Sequence, residues 1–82
     1  MPPFMAQKST SLNILQVGDS ANITGLDENP LSLQLLEMGF IPGEQLTVTG
    51  FAPFGDPIRL RLQGFELCIR KEDAALVKVE LI

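Results

Sequence analysis

Hydrophobic and polar residues alternate over much of this chain, and that pattern predicts β-strands. In the segment QLTVTGF, Leu46 and Val48 alternate with polar residues, and Gly50 is expected to bend or bulge the strand. Similar alternation predicts strands over ANIT, residues 21–24, and over LVKVELI, residues 76–82. The pattern therefore indicates a mainly β protein.

Residues 58–69 predict a tight β-hairpin whose register can be derived from the sequence. If Gln63-Gly64 forms a two-residue turn, six apolar residues from the two strands point to the same side. A shift of one residue would expose that whole apolar set to water, so the register is well specified. The expected pairs are Leu62 with Phe65, Leu60 with Leu67, Ile58 with Ile69, Arg61 with Glu66, and Arg59 with Cys68.

One short helix is predicted over residues 30–38. Asn29 is a favourable N-cap, and Pro30 suits the first helical position because its missing N–H costs nothing there. Gly39 is expected to end the helix in a left-handed conformation, with Phe40 packing back on the last turn. The apolar stripe expected to face the core consists of Leu31, Leu35 and Met38, with Leu36 beside it.

Shorter signals complete the predicted topology. Pro42-Gly43 fits the central positions of a type II turn, and residues 71–75, KEDAA, predict a short helical turn. About five strands and one short helix, with tight hairpins in the second half, are typical of a small, partly open β-barrel capped or plugged by the helix. Residues 1–9 are expected to be a flexible tail and residues 10–82 the folded domain.

Composition and charge exclude several classes of function. The 82 residues suffice for one domain, and a single cysteine allows no internal disulfide. Neither a signal peptide nor an apolar run of the ~18–20 residues that a membrane span needs is found, so a soluble, cytoplasmic protein is expected. The net charge of −4, without a cluster of Lys and Arg, argues against nucleic-acid binding.

Catalytic chemistry finds little support in the sequence. Histidine is absent, and Cys68 alone can neither form a thiolate metal site nor act as an activated nucleophile. The adjacent carboxylates Asp27-Glu28 and Glu72-Asp73 lack the spacing of a dedicated cation site, although weak binding of Fe²⁺ or another divalent metal is compatible with them. We therefore expect no enzyme and no resident cofactor.

Two apolar residues stand out as candidate contacts. Phe54 lies in the middle of the loop FAPFGDPI, where a hydrophilic residue would be usual, and Leu33 lies away from the helix stripe. Phe54 either folds over the open end of the barrel or offers an apolar contact to a partner, which the stiff loop would favour. The candidate partner-binding residues are Leu33, Pro53, Phe54, Gly55, Asp56 and Pro57.

An ordered set of motifs resembles the ferrous iron transport protein A (FeoA) family. It comprises Leu36-Glu37-Met38-Gly39-Phe40-Ile41-Pro42-Gly43, the loop Ala52-Pro53-Phe54-Gly55-Asp56-Pro57, and Ile69-Arg70 followed by Ala74. The resemblance covers roughly residues 12–82. It implies an SH3-like β-barrel without catalytic activity.

The resemblance also implies a role and a partner. It implies a cytosolic accessory protein of the membrane-bound ferrous iron transporter B, whose cytoplasmic side carries a GTPase domain. The same domain is found appended to metal-dependent repressors, but this chain resembles the free-standing form because no DNA-binding helix pair is present. Family members commonly carry basic residues where this chain has Leu33-Gln34, which favours an apolar contact or self-association through Leu33. The alternative function is an Fe²⁺ carrier or sensor that uses surface carboxylates and Cys68.

Overall fold

A computed structural model describes residues 9–82 as a six-stranded antiparallel sheet with two short helices. The strands are ordered β1-β6-β2-β3-β4-β5, so that β1 and β5 form the two edges. The elements are β1 (Ser9–Ser11), a 3-10 turn (Leu12–Ile14), β2 (Ser20–Leu26), α1 (Ser32–Met38), β3 (Gln45–Phe51), β4 (Ile58–Leu62), β5 (Phe65–Ile69), α2 (Lys71–Ala74) and β6 (Val77–Leu81).

The strand that the sequence did not predict is β1. Its three residues, Ser-Thr-Ser, carry no hydrophobic alternation, but they pair with β6 in the register Ser9 to Glu80 and Ser11 to Lys78. Residues 9–82 therefore contain six strands instead of about five. Residues 1–8 of the predicted tail lie outside the described residues, and Ser9 is the first residue of β1.

The predicted hairpin is confirmed in every residue pair. Gln63 and Gly64 have φ angles of +54° and +83°, as a type I′ turn requires. The predicted Arg61–Glu66 pair forms an exposed ion pair of 3.5 Å. One expectation of burial is wrong, because Phe65 is 72% exposed although its partner Leu62 is buried. β5 is an edge strand, so Phe65 has a neighbouring strand on one side only.

The C-terminal end of α1 follows the predicted capping chemistry, whereas the helix begins two residues later than predicted, at Ser32, and its N-cap residue Leu31 makes no side-chain cap hydrogen bond. Asn29 is therefore not the N-cap; its Oδ1 accepts the Leu31 N–H at 2.9 Å within the turn of Pro30 and Leu31 that leads into the helix. Gly39 ends the helix with φ +114°, and the Phe40 N–H donates to the Leu35 carbonyl at 3.1 Å. This is the expected Schellman geometry.

The predicted burial of the α1 stripe is wrong. Leu35 is the buried residue of α1, and the fully buried Phe40 follows the helix. The other residues of the stripe remain exposed, namely Leu31, Leu36 and Met38. The reason is that α1 has only seven residues and contacts the core mainly through Leu35 and the following Phe40. The helix therefore presents apolar side chains to solvent.

The core receives side chains from β2, β3, β4, β5 and β6. Its largest fully buried members are Phe40, Leu12, Ile23, Leu46, Ile58, Leu60, Leu62, Val48, Val77 and Val79. The register of β3 against β4 shifts between Val48 and Gly50, which confirms the predicted bulge. The Pro42-Gly43 turn is also confirmed, since Gly43 has φ +98° and the Glu44 N–H donates to the Ile41 carbonyl at 3.0 Å. Within residues 9–82, neither helix has the length to cross a membrane.

Candidate functional site

The loop between β3 and β4, residues 52–57, has a shape fixed by backbone hydrogen bonds. The Gly55 N–H donates to the Ala52 carbonyl at 2.7 Å, and the Ala52 N–H donates to the Pro57 carbonyl at 3.0 Å. Gly55 has φ +87°, a conformation that glycine adopts without steric cost. Pro53 occupies the second position of the turn, where its fixed φ is compatible with the geometry. The two hydrogen bonds and Pro53 thus restrict the backbone conformation of the loop.

Phe54 lies at the tip of this loop and is 97% exposed. Of the two possibilities that the sequence left open, the structure does not place Phe54 over the end of the barrel. A fully exposed phenylalanine in a stiff loop loses little conformational entropy when it enters a pocket of another molecule. Phe54 is therefore available as an apolar contact.

Asp56 has a structural role that the sequence did not indicate. Its Oδ1 accepts a 2.9 Å hydrogen bond from the backbone N–H of Lys71, the first residue of α2. The residue that precedes this helix, Arg70, provides no side-chain cap. Asp56 thus supplies the cap from a distant part of the chain and joins the loop to α2.

Leu33 lies on an exposed apolar surface formed by α1 and the turn that follows it. Leu33 itself is 66% exposed, in agreement with its predicted position away from the core. The other members were predicted as core residues or were not singled out. We use the term α1 surface for these residues collectively; they are distributed around the helix, because Leu31 and Met38 lie on the side toward α2 and Leu36 on the other side. The exposed members are Leu31, Leu33, Leu36, Met38 and Ile41.

The helix α2 borders both the loop and the α1 surface. It receives the hydrogen bond of Asp56 at its first residue, and it also faces α1 across a cleft of about 260 Å³. The helix α2 is therefore a neighbour of both segments that carry candidate residues, namely the loop with residues 53–57 and α1 with Leu33. The cleft is lined by Leu31, Gln34, Leu35, Met38, Arg70, Glu72 and Asp73.

Comparison with known proteins identifies the family. The FeoA domain family matches residues 10–81, which is almost the whole chain. The chain belongs to the FeoA family. It is similar to the Fe(2+) transport protein A/Fe(2+) transporter FeoB fusion protein of Porphyromonas gingivalis, with 39% identity over 72 residues. That match covers 87% of this chain and 8% of the fusion protein, so the chain spans less than a tenth of its relative's length.

Solved FeoA structures share the fold of this FeoA-family chain. The FeoA-like protein from Clostridium acetobutylicum superposes with a TM-score of 0.87 at 33% identity, covering 92% of this chain and 88% of that one. The FeoA of Stenotrophomonas maltophilia, described as a procaryotic SH3 domain protein and solved with zinc, gives a TM-score of 0.76 at 23% identity. It covers 85% of this chain and 88% of that one, and the likeness shows that the fold is SH3-like.

A larger groove lies on the other side of α1 in this FeoA-family chain. It has a volume of about 430 Å³ and runs between the end of β2, the first turn of α1 and the Pro42 turn. Its one signal in the sequence is the pair of adjacent carboxylates Asp27 and Glu28, which lack the spacing of a dedicated cation site. We call it the α1 groove, and its lining residues are Leu26, Asp27, Glu28, Asn29, Ser32, Leu36 and Pro42.

The residues considered for metal binding are dispersed. Within residues 9–82, no three acidic or cysteine side chains lie close enough together to hold a metal ion. Cys68 is exposed on β5, at the position opposite Arg59. Asp27 forms an ion pair of 3.5 Å with Lys78. Asp27 and Asp56 are thus engaged in contacts within the chain.

Proposed function

We propose that this chain is an accessory protein of ferrous iron transport that binds the cytoplasmic side of an FeoB-type Fe(2+) transporter and regulates or scaffolds it. The observation that carries the proposal is the Porphyromonas gingivalis relative, in which the FeoA-like segment and the Fe(2+) transporter are one polypeptide. Physical linkage in a relative supports association of the separate chains, because fusion raises the effective concentration of two modules that act together.

The loop and the α1 surface are the proposed contacts. Both present exposed apolar side chains, Phe54 and Leu33 above all, on backbone that is held by hydrogen bonds. Large apolar residues that are exposed on a small domain often mark interaction sites, and a few of them usually supply most of the binding energy. In this proposal the chain acts by binding, and α2 lies beside both the loop and α1.

Binding of the purified chain to the full-length transporter in nanodiscs tests the proposal. We expect a complex in at least one nucleotide state, and a loss of at least about 30-fold in affinity for Phe54→Ser, as for a hot-spot residue. Leu33→Gln is expected to weaken the complex by a smaller factor. Phe65→Ser is the matched control, because Phe65 is also an exposed phenylalanine but lies at the opposite end of β4.

The outcomes distinguish a failure of the proposed partner from a failure of the proposed contact residues. Absence of a complex in every nucleotide state would refute the transporter as the partner. A complex that loses as much affinity with Phe65→Ser as with Phe54→Ser would refute the loop as a specific contact. Uptake of labelled Fe²⁺ by cells that carry each variant in place of the parent chain would then show whether binding has a consequence for transport.

A further inference from the structure

We propose that the α1 groove binds a basic segment of the transporter, in which an aliphatic side chain is flanked by an Arg or a Lys. This inference rests on the proposed function, because the transporter is the source of the segment. It adds the chemistry of the bound segment and a binding site separate from the loop. The argument depends on three properties of the groove: its apolar floor, its rigid rim and its charge.

The floor of the groove is apolar. Leu26, Leu36 and Pro42 line it, and Leu36 is exposed to solvent although it belongs to the helix stripe expected in the core. A volume of about 430 Å³ lies at the lower end of the range for ligand pockets, about 300–1,000 Å³. The groove therefore accommodates a few side chains of an extended or turning segment and is too small for a folded domain.

The rim is held in place by hydrogen bonds. The Asp27 N–H donates to the Leu76 carbonyl at 2.8 Å, and the Ser32 hydroxyl donates to the Asp27 carbonyl. The Asn29 side chain accepts the Leu31 N–H. Because these bonds exist in the free chain, little backbone ordering is required when a segment binds, and more of the contact energy remains as affinity.

The charge of the rim selects a cationic segment. Residues 9–58 contain no Lys or Arg and six acidic residues, and Asp27 and Glu28 of this stretch lie on the rim. Lys78 pairs with Asp27 at 3.5 Å, whereas none of the ion pairs formed within residues 9–82 involves Glu28. A guanidinium or ammonium group beside Glu28 would be attracted, and its methylene stem would pack on Leu36 and Pro42. An acidic segment would be repelled.

Charge reversal at the rim tests this inference with the transporter in nanodiscs as the probe. Glu28→Lys is expected to weaken binding by about tenfold or more at ~0.1 M salt, and Glu28→Gln by a smaller factor. The matched control is Glu66→Lys, which makes the same charge change at an exposed position of β5, outside both the groove lining and the α1 surface. We expect less than about threefold for the control, since an exposed charge at that position acts only through long-range electrostatics.

A second measurement locates the segment. Peptides that tile the cytoplasmic regions of the transporter are titrated into isotopically labelled chain, and amide shifts are followed by NMR. A basic, aliphatic peptide is expected to shift the amides of residues 26–29, 31, 32 and 36, and replacing its Arg and Lys by Gln is expected to abolish the shifts. The spectra also show whether each variant is folded.

Each outcome has a defined meaning. If the parent chain binds the transporter and folded Glu28→Lys binds as tightly as the control, the inference is overturned while the proposed function stands. If only acidic or uncharged peptides shift the groove amides, the inference is likewise overturned. If the parent chain binds the transporter in no state and no peptide shifts these amides, the proposed function and the inference fail together.

Discussion

Replacing Asp56 by alanine is expected to destabilise the fold by about 1 kcal/mol, within a range of about 0.5–2 kcal/mol for loss of a helix cap. The structure provides the reason, because Asp56 Oδ1 accepts the N–H of Lys71 at 2.9 Å and Arg70 offers α2 no side-chain cap. The carboxylate is exposed, which places the effect near the lower half of the range. Asp56→Asn retains an acceptor oxygen and should cost only a few tenths of a kcal/mol.

Urea unfolding followed by circular dichroism measures this effect. For a domain of this size, about 1 kcal/mol corresponds to a fall in Tm of roughly 4–8 °C, so thermal unfolding provides a second readout. Glu72→Ala is the control. Glu72 is also an acidic residue near the start of α2, but among the hydrogen bonds formed within residues 9–82 none joins its side chain to the α2 backbone. An Asp56→Ala variant as stable as the parent would refute the capping role. An Asp56→Asn variant as unstable as Asp56→Ala would show that charge, not the hydrogen bond, provides the stability.

Three further predictions follow from particular residues. Phe40→Ala should destabilise the domain by about 3–5 kcal/mol in urea unfolding, because Phe40 is fully buried and anchors α1 to the core. Gln63→Asn should raise the midpoint in the same assay, because asparagine tolerates the φ of +54° better than glutamine and the lost hydrogen bond from Gln63 to the Gly39 carbonyl is long, at 3.4 Å, and exposed; an unchanged midpoint would contradict this. Calorimetric titration with Fe²⁺ should give a Kd weaker than ~10⁻⁴ M for both the parent and Cys68→Ser, and tighter binding that Cys68→Ser abolishes would favour the carrier hypothesis.

The candidate site could be predicted only in part. The loop 52–57 was identified from its composition, and the structure adds two backbone hydrogen bonds within it, made by Gly55 and Pro57. The cap that Asp56 provides to α2 was not predictable, because it joins residues fifteen positions apart that no local pattern connects. The α1 groove was missed for the same reason, since Leu26, Ser32 and Pro42 come together only when the chain folds.

The apolar face of α1 illustrates a limit of periodicity. A stripe that packs on a core and a stripe offered to a partner have the same spacing along a helix. The sequence predicted burial for Leu31, Leu36 and Met38, whereas the structure buries Leu35 and exposes the others. Only the position of the helix on the sheet distinguishes the two cases.

The sequence by itself determined several features that depend on neighbours along the chain. The register of the β4–β5 hairpin follows from the Gln63-Gly64 turn and the alternation on either side, and the end of α1 follows from Gly39. The tertiary structure alone decided the strand β1, the exposure of Phe65 and the grooves beside α1. Turn geometry and alternation act over a few residues, whereas burial depends on which distant strand or helix covers a side chain, and that is settled only when the whole sheet assembles.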